Sequence, residues 1–153
     1  MAEVLSVQMS KILGSPLAKL SPTEIGGRRR VMLGQVTSIA AAINDTIYFG
    51  RLPAGARILG TRVNNAAGTA SGTMNIGLRK TKDKSVLSAT ALASAVAIAT
   101  AASADVSATG AYTNAGQSYV TADQVDVYGT ITGAVTPSSP GQLITIQIDY
   151  AID

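Results

Sequence analysis

The chain has 153 residues, enough for one domain with a substantial core, and it is 46% hydrophobic, 4% aromatic and 14% charged. It contains no cysteine and no histidine, which excludes disulfides, thiolate metal sites and the common His-based and Cys-based catalytic triads. With a formal net charge of only +3 and no motif that suits a nucleophile or a phosphate, we expect a protein that is not an enzyme and needs no cofactor.

Residues 1–30 are predicted to form an extended N-terminal arm and residues 31–153 the folded domain, because the first segment has apolar anchors but no core of its own. Between residues 5 and 13 the apolar positions fit both helical spacing and strand alternation, so the local conformation is left open. Ser21-Pro22-Thr23-Glu24 predicts a helix start, which Gly26-Gly27 ends within about one turn. We expect partner binding through Leu5, Met9, Ile12, Leu13, Leu17, Leu20, Arg28, Arg29 and Arg30.

Arg28-Arg29-Arg30 is the sharpest basic cluster in the sequence. Arginine forms charge-assisted hydrogen bonds with phosphates, which would suit nucleic acid, and with carboxylates, which would suit an acidic protein. No aromatic residue lies within fifteen positions on either side to stack on a base. We therefore predict a protein partner and no nucleic acid, with a solvated run as the remaining alternative.

From Val31 onward the pattern predicts one strand after another. Asp45 to Leu52 and Arg57 to Asn64 are predicted as partner strands, joined by Leu52-Pro53-Ala54-Gly55, in which proline and glycine suit a tight turn. Residues 74–78 alternate apolar and polar side chains, as a half-buried strand does. These segments indicate an antiparallel, all-β domain.

Two late strands show the clearest alternation. In residues 125–131 the Val and Ile side chains share a face opposite Asp126, Tyr128 and Thr130, and in residues 144–152 four Ile and one Tyr form an apolar row. The spacing of strands and turns suits a sandwich or a barrel. We predict an all-β fold, an antiparallel β-sandwich that is jelly-roll-like, although the sequence does not separate a jelly roll from another antiparallel sandwich.

Residues 85–120 are the part that the pattern defines least. A strand pair or a short Ala-rich helix fits Thr90 to Ala102 equally well. Ser85 to Ala104 carries no charge and has the length that a bilayer requires, but most of its side chains are Ala, Ser and Thr. Such a segment gains little from entering hydrocarbon, so we predict no membrane partner.

Asp123, Asp126 and Asp149 are the acidic residues that could carry chemistry. Paired carboxylates can do acid–base work and several oxygens together can bind calcium, but the spacing does not resemble a calcium loop. Asp123 and Asp126 fall at the entry of a predicted strand, on or near its polar face. We predict a solvated or partner-facing strand edge there and no metal site.

The charges are distributed unevenly along the chain. Residues 1–84 hold all twelve Lys and Arg with four acids, a formal charge of +8, whereas residues 85–153 hold five Asp and no base, a formal charge of −5. Such asymmetry can mark a nucleic-acid surface, or complementary surfaces between copies that pack head to tail. The second interpretation is favoured because the sequence offers nothing to stack on bases.

Three segments resemble a known family. Residues 46–58 read Thr-Ile-Tyr-Phe-Gly-Arg-Leu-Pro-Ala-Gly-Ala-Arg-Ile, residues 74–78 read Met-Asn-Ile-Gly-Leu, and residues 141–150 read Gly-Gln-Leu-Ile-Thr-Ile-Gln-Ile-Asp-Tyr. This succession resembles the head decoration, or cement, proteins of tailed bacteriophages over roughly residues 30–153. The likeness rests on the style of turns and strands and not on a catalytic signature.

The resemblance implies a virion protein on the outer capsid surface. Such a protein would bind the major capsid protein, bridge neighbouring capsomers and act as a homo-oligomer, with a trimer favoured. Another virion component, such as a tail, baseplate or host-attachment module, is the alternative. An arm of this length could cross onto a neighbouring subunit and add main-chain hydrogen bonds there.

Overall fold

The computed structural model describes residues 7–13, 16, 19, 27–115 and 117–152. Within them the regular elements are one α-helix, eight strands and a short 3-10 helix at Ser107–Thr109. They are α1 (Val7–Leu13), β1 (Arg30–Ser38), β2 (Thr46–Leu52), β3 (Ala56–Asn65), β4 (Thr73–Lys80), β5 (Val86–Ala97), β6 (Ala102–Asp105), β7 (Val125–Ile131) and β8 (Gln142–Ile152).

The strands form two four-stranded sheets in which every pairing is antiparallel. The first sheet has the order β1-β8-β3-β6 and the second the order β2-β7-β4-β5. The first strand therefore pairs with the last, the second with the seventh, the third with the sixth and the fourth with the fifth. This nested pairing is the topology of a jelly roll, so the predicted antiparallel, jelly-roll-like sandwich is confirmed.

The core lies between the two sheets, because alternate side chains of each strand point inward. In β8 the inward row is Ile144, Ile146 and Ile148, all fully buried, whereas Leu143, just before this row, points to the outer surface of the sheet and is exposed. The other fully buried large side chains are Leu52, Ile58, Met74, Ile76, Leu78, Leu92, Ile98, Ile131 and Gln142. Aliphatic side chains thus fill the interior, as the low aromatic content requires.

Small residues let the two sheets approach closely where β1 passes β2. A Cβ atom at Gly34 of β1 would overlap the carbonyl oxygen and Cβ of Phe49 in β2. Met32, two positions earlier, places its sulfur over Gly50. The first strand is therefore fixed against the second sheet as well as against β8.

The predicted early strands and their turn are confirmed within one or two residues at each end, but their predicted pairing is wrong. β2 pairs with β7 in the second sheet and β3 pairs with β8 and β6 in the first, so the turn connects the two sheets and does not close a hairpin. Gly55 has a φ of 77°, the left-handed conformation that favours glycine at this point of the turn. The late apolar row is confirmed only through Ile148. Beyond it the pairing of β8 with β3 shifts between Ile58 and Gly60, so Tyr150 and Ile152 are half-buried while Ala151 is buried.

The segment that the pattern left open begins with two strands. Residues 90–102 are not helical: β5 runs through most of them and β6 begins at their end. Tyr112 and Tyr119 stack with ring centroids 4.0 Å apart in the loop that follows, and the Tyr112 hydroxyl donates to the Leu87 carbonyl. No helix of the described residues is both long and apolar enough to span a bilayer.

The N-terminal segment contains α1, so the conformation left open for residues 5–13 is helical over Val7–Leu13. The helix start predicted at residues 21–24 lies outside the described residues. β1 begins at Arg30, next to the predicted boundary, and the division into an arm and a domain stays a prediction.

Candidate interaction surfaces

The predicted anchors of the N-terminal segment are described in part. Met9 and Ile12 of α1 are both exposed. Leu5, Leu17 and Leu20 lie outside the described residues, as does the side chain of Leu13. The described anchors therefore present apolar surface to solvent.

The basic cluster leads into β1, whose first residue is Arg30, and is exposed at all three positions. The Arg29 guanidinium forms a hydrogen-bonded ion pair with Asp149 of β8, and this hydrogen bond and the carboxylate charge raise the pKa of Arg29. Arg28 and Arg30 flank this pair. One of the three predicted partner-binding arginines thus contacts an acid of its own chain.

An apolar strip continues from the cluster along the outer surface of β1. Met32, Gly34 and Val36 face the second sheet, so Val31 and Leu33 point outward, and they are 51% and 67% exposed. Leu143 lies on the same outer surface of the neighbouring strand β8, opposite Thr37, and is also exposed. Exposed apolar side chains that are contiguous with the arm suit a protein contact.

A second apolar area lies where two loops meet at one end of the sandwich. The loop after β1 and the loop after β7 are joined because Ala41 and Thr136 exchange hydrogen bonds of 2.8 and 3.0 Å, and the Ser38 and Thr136 hydroxyls lie 2.9 Å apart. Ile39, Ile43 and Val135 remain exposed on these tied loops. The end of the sandwich therefore presents apolar side chains on a fixed backbone.

Asp126 corrects one expectation. It was predicted on a solvated or partner-facing strand edge, but its side chain is fully buried in β7, the second strand of its sheet. Register places Arg51 of β2 on one side of it and Arg79 of β4 on the other. The flanking side chains cover the carboxylate, which is why a polar outward position is not solvated.

Both oxygens of Asp126 accept hydrogen bonds. Oδ1 accepts from Arg51 Nε at 2.9 Å and from the Thr81 hydroxyl at 2.9 Å, and Oδ2 accepts from Lys84 Nζ. Arg79 Nε lies farther away, at 3.8 Å from Oδ2. Burial disfavours the ionised carboxylate, but the hydrogen bonds from Lys84, Arg51 and Thr81 outweigh it and lower the pKa of Asp126 to about 2.

The fold brings acids from the second half of the sequence into contact with bases from the first half. Asp126 and Asp149, from the acidic half of the sequence, pair with Arg51, Lys84 and Arg29 from the basic half. The opposite charges of the two halves are therefore partly neutralised inside one chain. No group of three acidic, His or Cys side chains in the described ranges could hold a metal ion.

Comparison with known proteins identifies structures that share the fold of this chain. No protein-family model matches the chain, and no curated protein matches it. It is similar to a chain in the capsid asymmetric unit of cyanophage Pam1, with 21% identity and a TM-score of 0.62 over 92% of this chain and 97% of that one. It is also similar to a chain in the capsid of Ralstonia phage GP4, with 16% identity and a TM-score of 0.63 over 94% and 96%.

At these identities the likeness shows a shared fold that extends over nearly the whole of each chain.

The ion-paired cluster around Asp126 was missed by sequence reasoning. The sequence held part of the signal, because alternation assigns Asp126 to the polar face of its strand. What was lacking was the strand order, which places β7 between β2 and β4.

Proposed function

We propose that the chain is a structural protein of a tailed-phage virion, specifically a head decoration protein that binds the outer capsid surface and bridges neighbouring capsomers. The observation that carries this proposal is the jelly-roll likeness, along nearly the full length, to chains from two phage capsids. It agrees with the resemblance carried by residues 46–58, 74–78 and 141–150. Two independent lines, fold and sequence style, support the same class of protein.

The outer surface of β1 supports attachment to a protein shell. The arm leads directly into Val31 and Leu33, whose side chains are exposed and would be removed from water by a contacting surface. Burying such side chains stabilises a contact by about 25 cal/mol per Å² of apolar area. The exposed Met9 and Ile12 of α1 extend the same kind of contact toward the N-terminus.

A homo-oligomer, with a trimer favoured, is part of this proposal. The apolar side chains Ile39 and Val135 lie on loops that are tied to each other by hydrogen bonds, which suits a contact that does not have to order its backbone on binding. Several arms in one oligomer would act together, because the first contact raises the effective concentration for the next. Many weak contacts would then hold the shell.

Immunogold labelling of intact virions with an antibody raised against the purified chain tests the proposal. We expect gold particles over the whole head surface and none on the tail. Labelling confined to the tail or baseplate would overturn the proposal in favour of the alternative virion role. Virions disrupted by detergent provide the control for an epitope that intact particles hide.

A further inference from the structure

The outer surface of the second sheet carries more positive charge than its one buried carboxylate can balance. Arg51, Arg79 and Lys84 surround Asp126, so the group retains a formal charge of +2. Tyr48, one row along β2, is 48% exposed beside them. We call Tyr48, Arg51, Arg79 and Lys84 the basic face.

The cations of the basic face have hydrogen-bond donors to spare. The two oxygens of Asp126 already accept three close hydrogen bonds, from Arg51, Thr81 and Lys84. Arg51 uses its Nε in this pair and Lys84 one of its three donors, whereas Arg79 Nε is buried without a hydrogen-bond partner. Because Arg79 Nε is buried, the accessible donors are those of Lys84 and Arg51 that Asp126 and Tyr48 do not accept, on side chains that are 53% and 43% exposed.

The basic face is held in place from beneath. The Arg79 guanidinium lies over the ring of Tyr128 at 5.2 Å from its centroid, a cation–π contact that limits its movement. Tyr128 stands between Tyr48 and Gly77 in the register of the sheet. A Cβ atom at Gly77 would overlap β5 backbone oxygens, so the strands below the face are closely packed. Such a platform needs little ordering when it binds.

We propose that the basic face binds a carboxylate-bearing segment of a partner protein. An acidic side chain would accept hydrogen bonds from Arg51 and Lys84, while Tyr48 would cover its apolar stem. This proposal extends the proposed decoration role. It rests on that role only in taking the capsid shell as the partner. The chemistry of the ligand, a run of glutamates or aspartates, follows from the face alone.

The surroundings of the basic face favour protein over nucleic acid. It adjoins, through Thr81, a cleft of about 560 Å³ whose lining carries the cations Lys80 and Lys82 and the anions Asp83 and Asp123. The two anions of the cleft oppose a long polyanion such as a nucleic acid more than a short acidic segment that ends at the basic face. The donors are also concentrated at one spot, whereas non-specific nucleic-acid binding needs many contacts spread along a groove.

A second copy of the chain is a poorer occupant. Of the described acids, Asp126 and Asp149 are ion-paired within the chain, and Asp83 and Asp123 line a cleft that also holds Lys80 and Lys82. The other two, Asp45 and Asp105, accept hydrogen bonds from the backbone amides of Ala42 and Ser107. The described surface therefore offers no concentrated acidic area that would match the basic face. A different protein must supply the carboxylates.

Fluorescence anisotropy of a fluorescein-labelled hexaglutamate peptide against the full chain tests the proposal. We expect binding that weakens as salt is added, and about fivefold weaker binding for Arg51→Gln and for Lys84→Gln. Arg62→Gln, which removes the same charge from the outer surface of the first sheet, is the control and should bind as the unmodified chain does. Equal binding by all four proteins would overturn the proposal, and so would tighter binding of a DNA duplex than of the peptide.

Amide NMR shifts of the unmodified chain give the same answer without any variant. Titration with the peptide should move the resonances of Tyr48, Arg51 and Lys84 and leave those of Val31 and Arg62 in place. Shifts confined to other residues would overturn the proposal even if a variant failed to fold.

Binding to undecorated capsid shells separates this proposal from the proposed function. If the unmodified chain and Lys84→Gln bind shells equally well, the basic face is not the contact and the decoration role stands. If the chain binds the peptide but ignores shells, the decoration role is wrong and the ligand chemistry stands. If Lys84→Gln binds shells more weakly than the unmodified chain does, the result supports both the decoration role and the basic face as a contact with the shell.

Discussion

Lys84 and Asp126 lie 42 residues apart in the sequence and form an ion pair in which the lysine backbone is left-handed, with a φ of 61°. The Lys84 amide donates to the Lys80 carbonyl at 3.1 Å, which closes one turn between β4 and β5. A glycine would adopt this conformation without strain, but it would leave the carboxylate with one cation fewer. The ion pair with Asp126 thus explains why a lysine occupies a position whose positive φ favours glycine.

Substitution of Lys84 should separate the backbone from the ion pair. Both Lys84→Ala and Lys84→Gly lose the contact with Asp126, but we expect the glycine variant to be more stable by about 1 kcal/mol, because only alanine keeps the steric cost of a positive φ. Urea unfolding of the two variants measures the difference. At Lys82, in the same turn but without a positive φ, alanine should be at least as stable as glycine. The reverse order at Lys84 would contradict this explanation.

Removal of the buried carboxylate should destabilise the fold. Asp126→Asn leaves Arg51 and Lys84 facing a neutral amide, and we expect the free energy of unfolding to fall by about 2 kcal/mol. Asp123→Asn, an exposed aspartate three residues earlier, is the control, with an expected change within about 0.5 kcal/mol. Equal effects of the two substitutions in urea would show that the ion pairs around Asp126 contribute nothing.

The stability should also depend on pH through Asp126. Its pKa in the folded chain is lowered from the ordinary 3.8 to about 2, so folding favours the ionised form. The corresponding stabilisation is fully present above the unfolded pKa and is lost as the pH falls from about 4 to about 2. Thermal melting across this range should show a steeper loss for the unmodified chain than for Asp126→Asn. Parallel pH profiles would contradict the lowered pKa.

The architecture was predictable from the sequence because the information for it is local. Alternation in residues 74–78 and 125–131 and the Pro-Ala-Gly turn before Ala56 depend on neighbours within a few positions. Residues 85–120 were not predictable to the same degree. Alanine and serine suit both a helix and a tightly packed strand, so only the partner strand β4 decides that β5 is extended.

The basic face could not be predicted because it depends on strand order. Asp126, Arg51 and Arg79 are distant in the sequence and become neighbours only because β7 lies between β2 and β4. The same reasoning applies to Arg29 and Asp149, which meet because the first and last strands pair. Side chains on one strand can be assigned to a face by alternation, but the residues opposite them follow from topology.

The N-terminal segment should matter for attachment and not for folding. Deletion of residues 1–27 removes α1 but keeps Arg29, the partner of Asp149, and all eight strands. We expect the shortened chain to unfold cooperatively, with a melting temperature within a few degrees of the full chain, and to bind shells more weakly. Equally tight shell binding by the shortened chain would show that the contact lies elsewhere.

The most direct test of the decoration role is the thermal stability of shells. Expanded, undecorated shells of a phage whose genome encodes this chain would be melted in a calorimeter with and without the purified full chain, with excess unbound protein removed by sedimentation. We expect the chain to sediment with the shells and to raise their melting temperature. Shells that neither retain the chain nor melt at a higher temperature would contradict the proposed role.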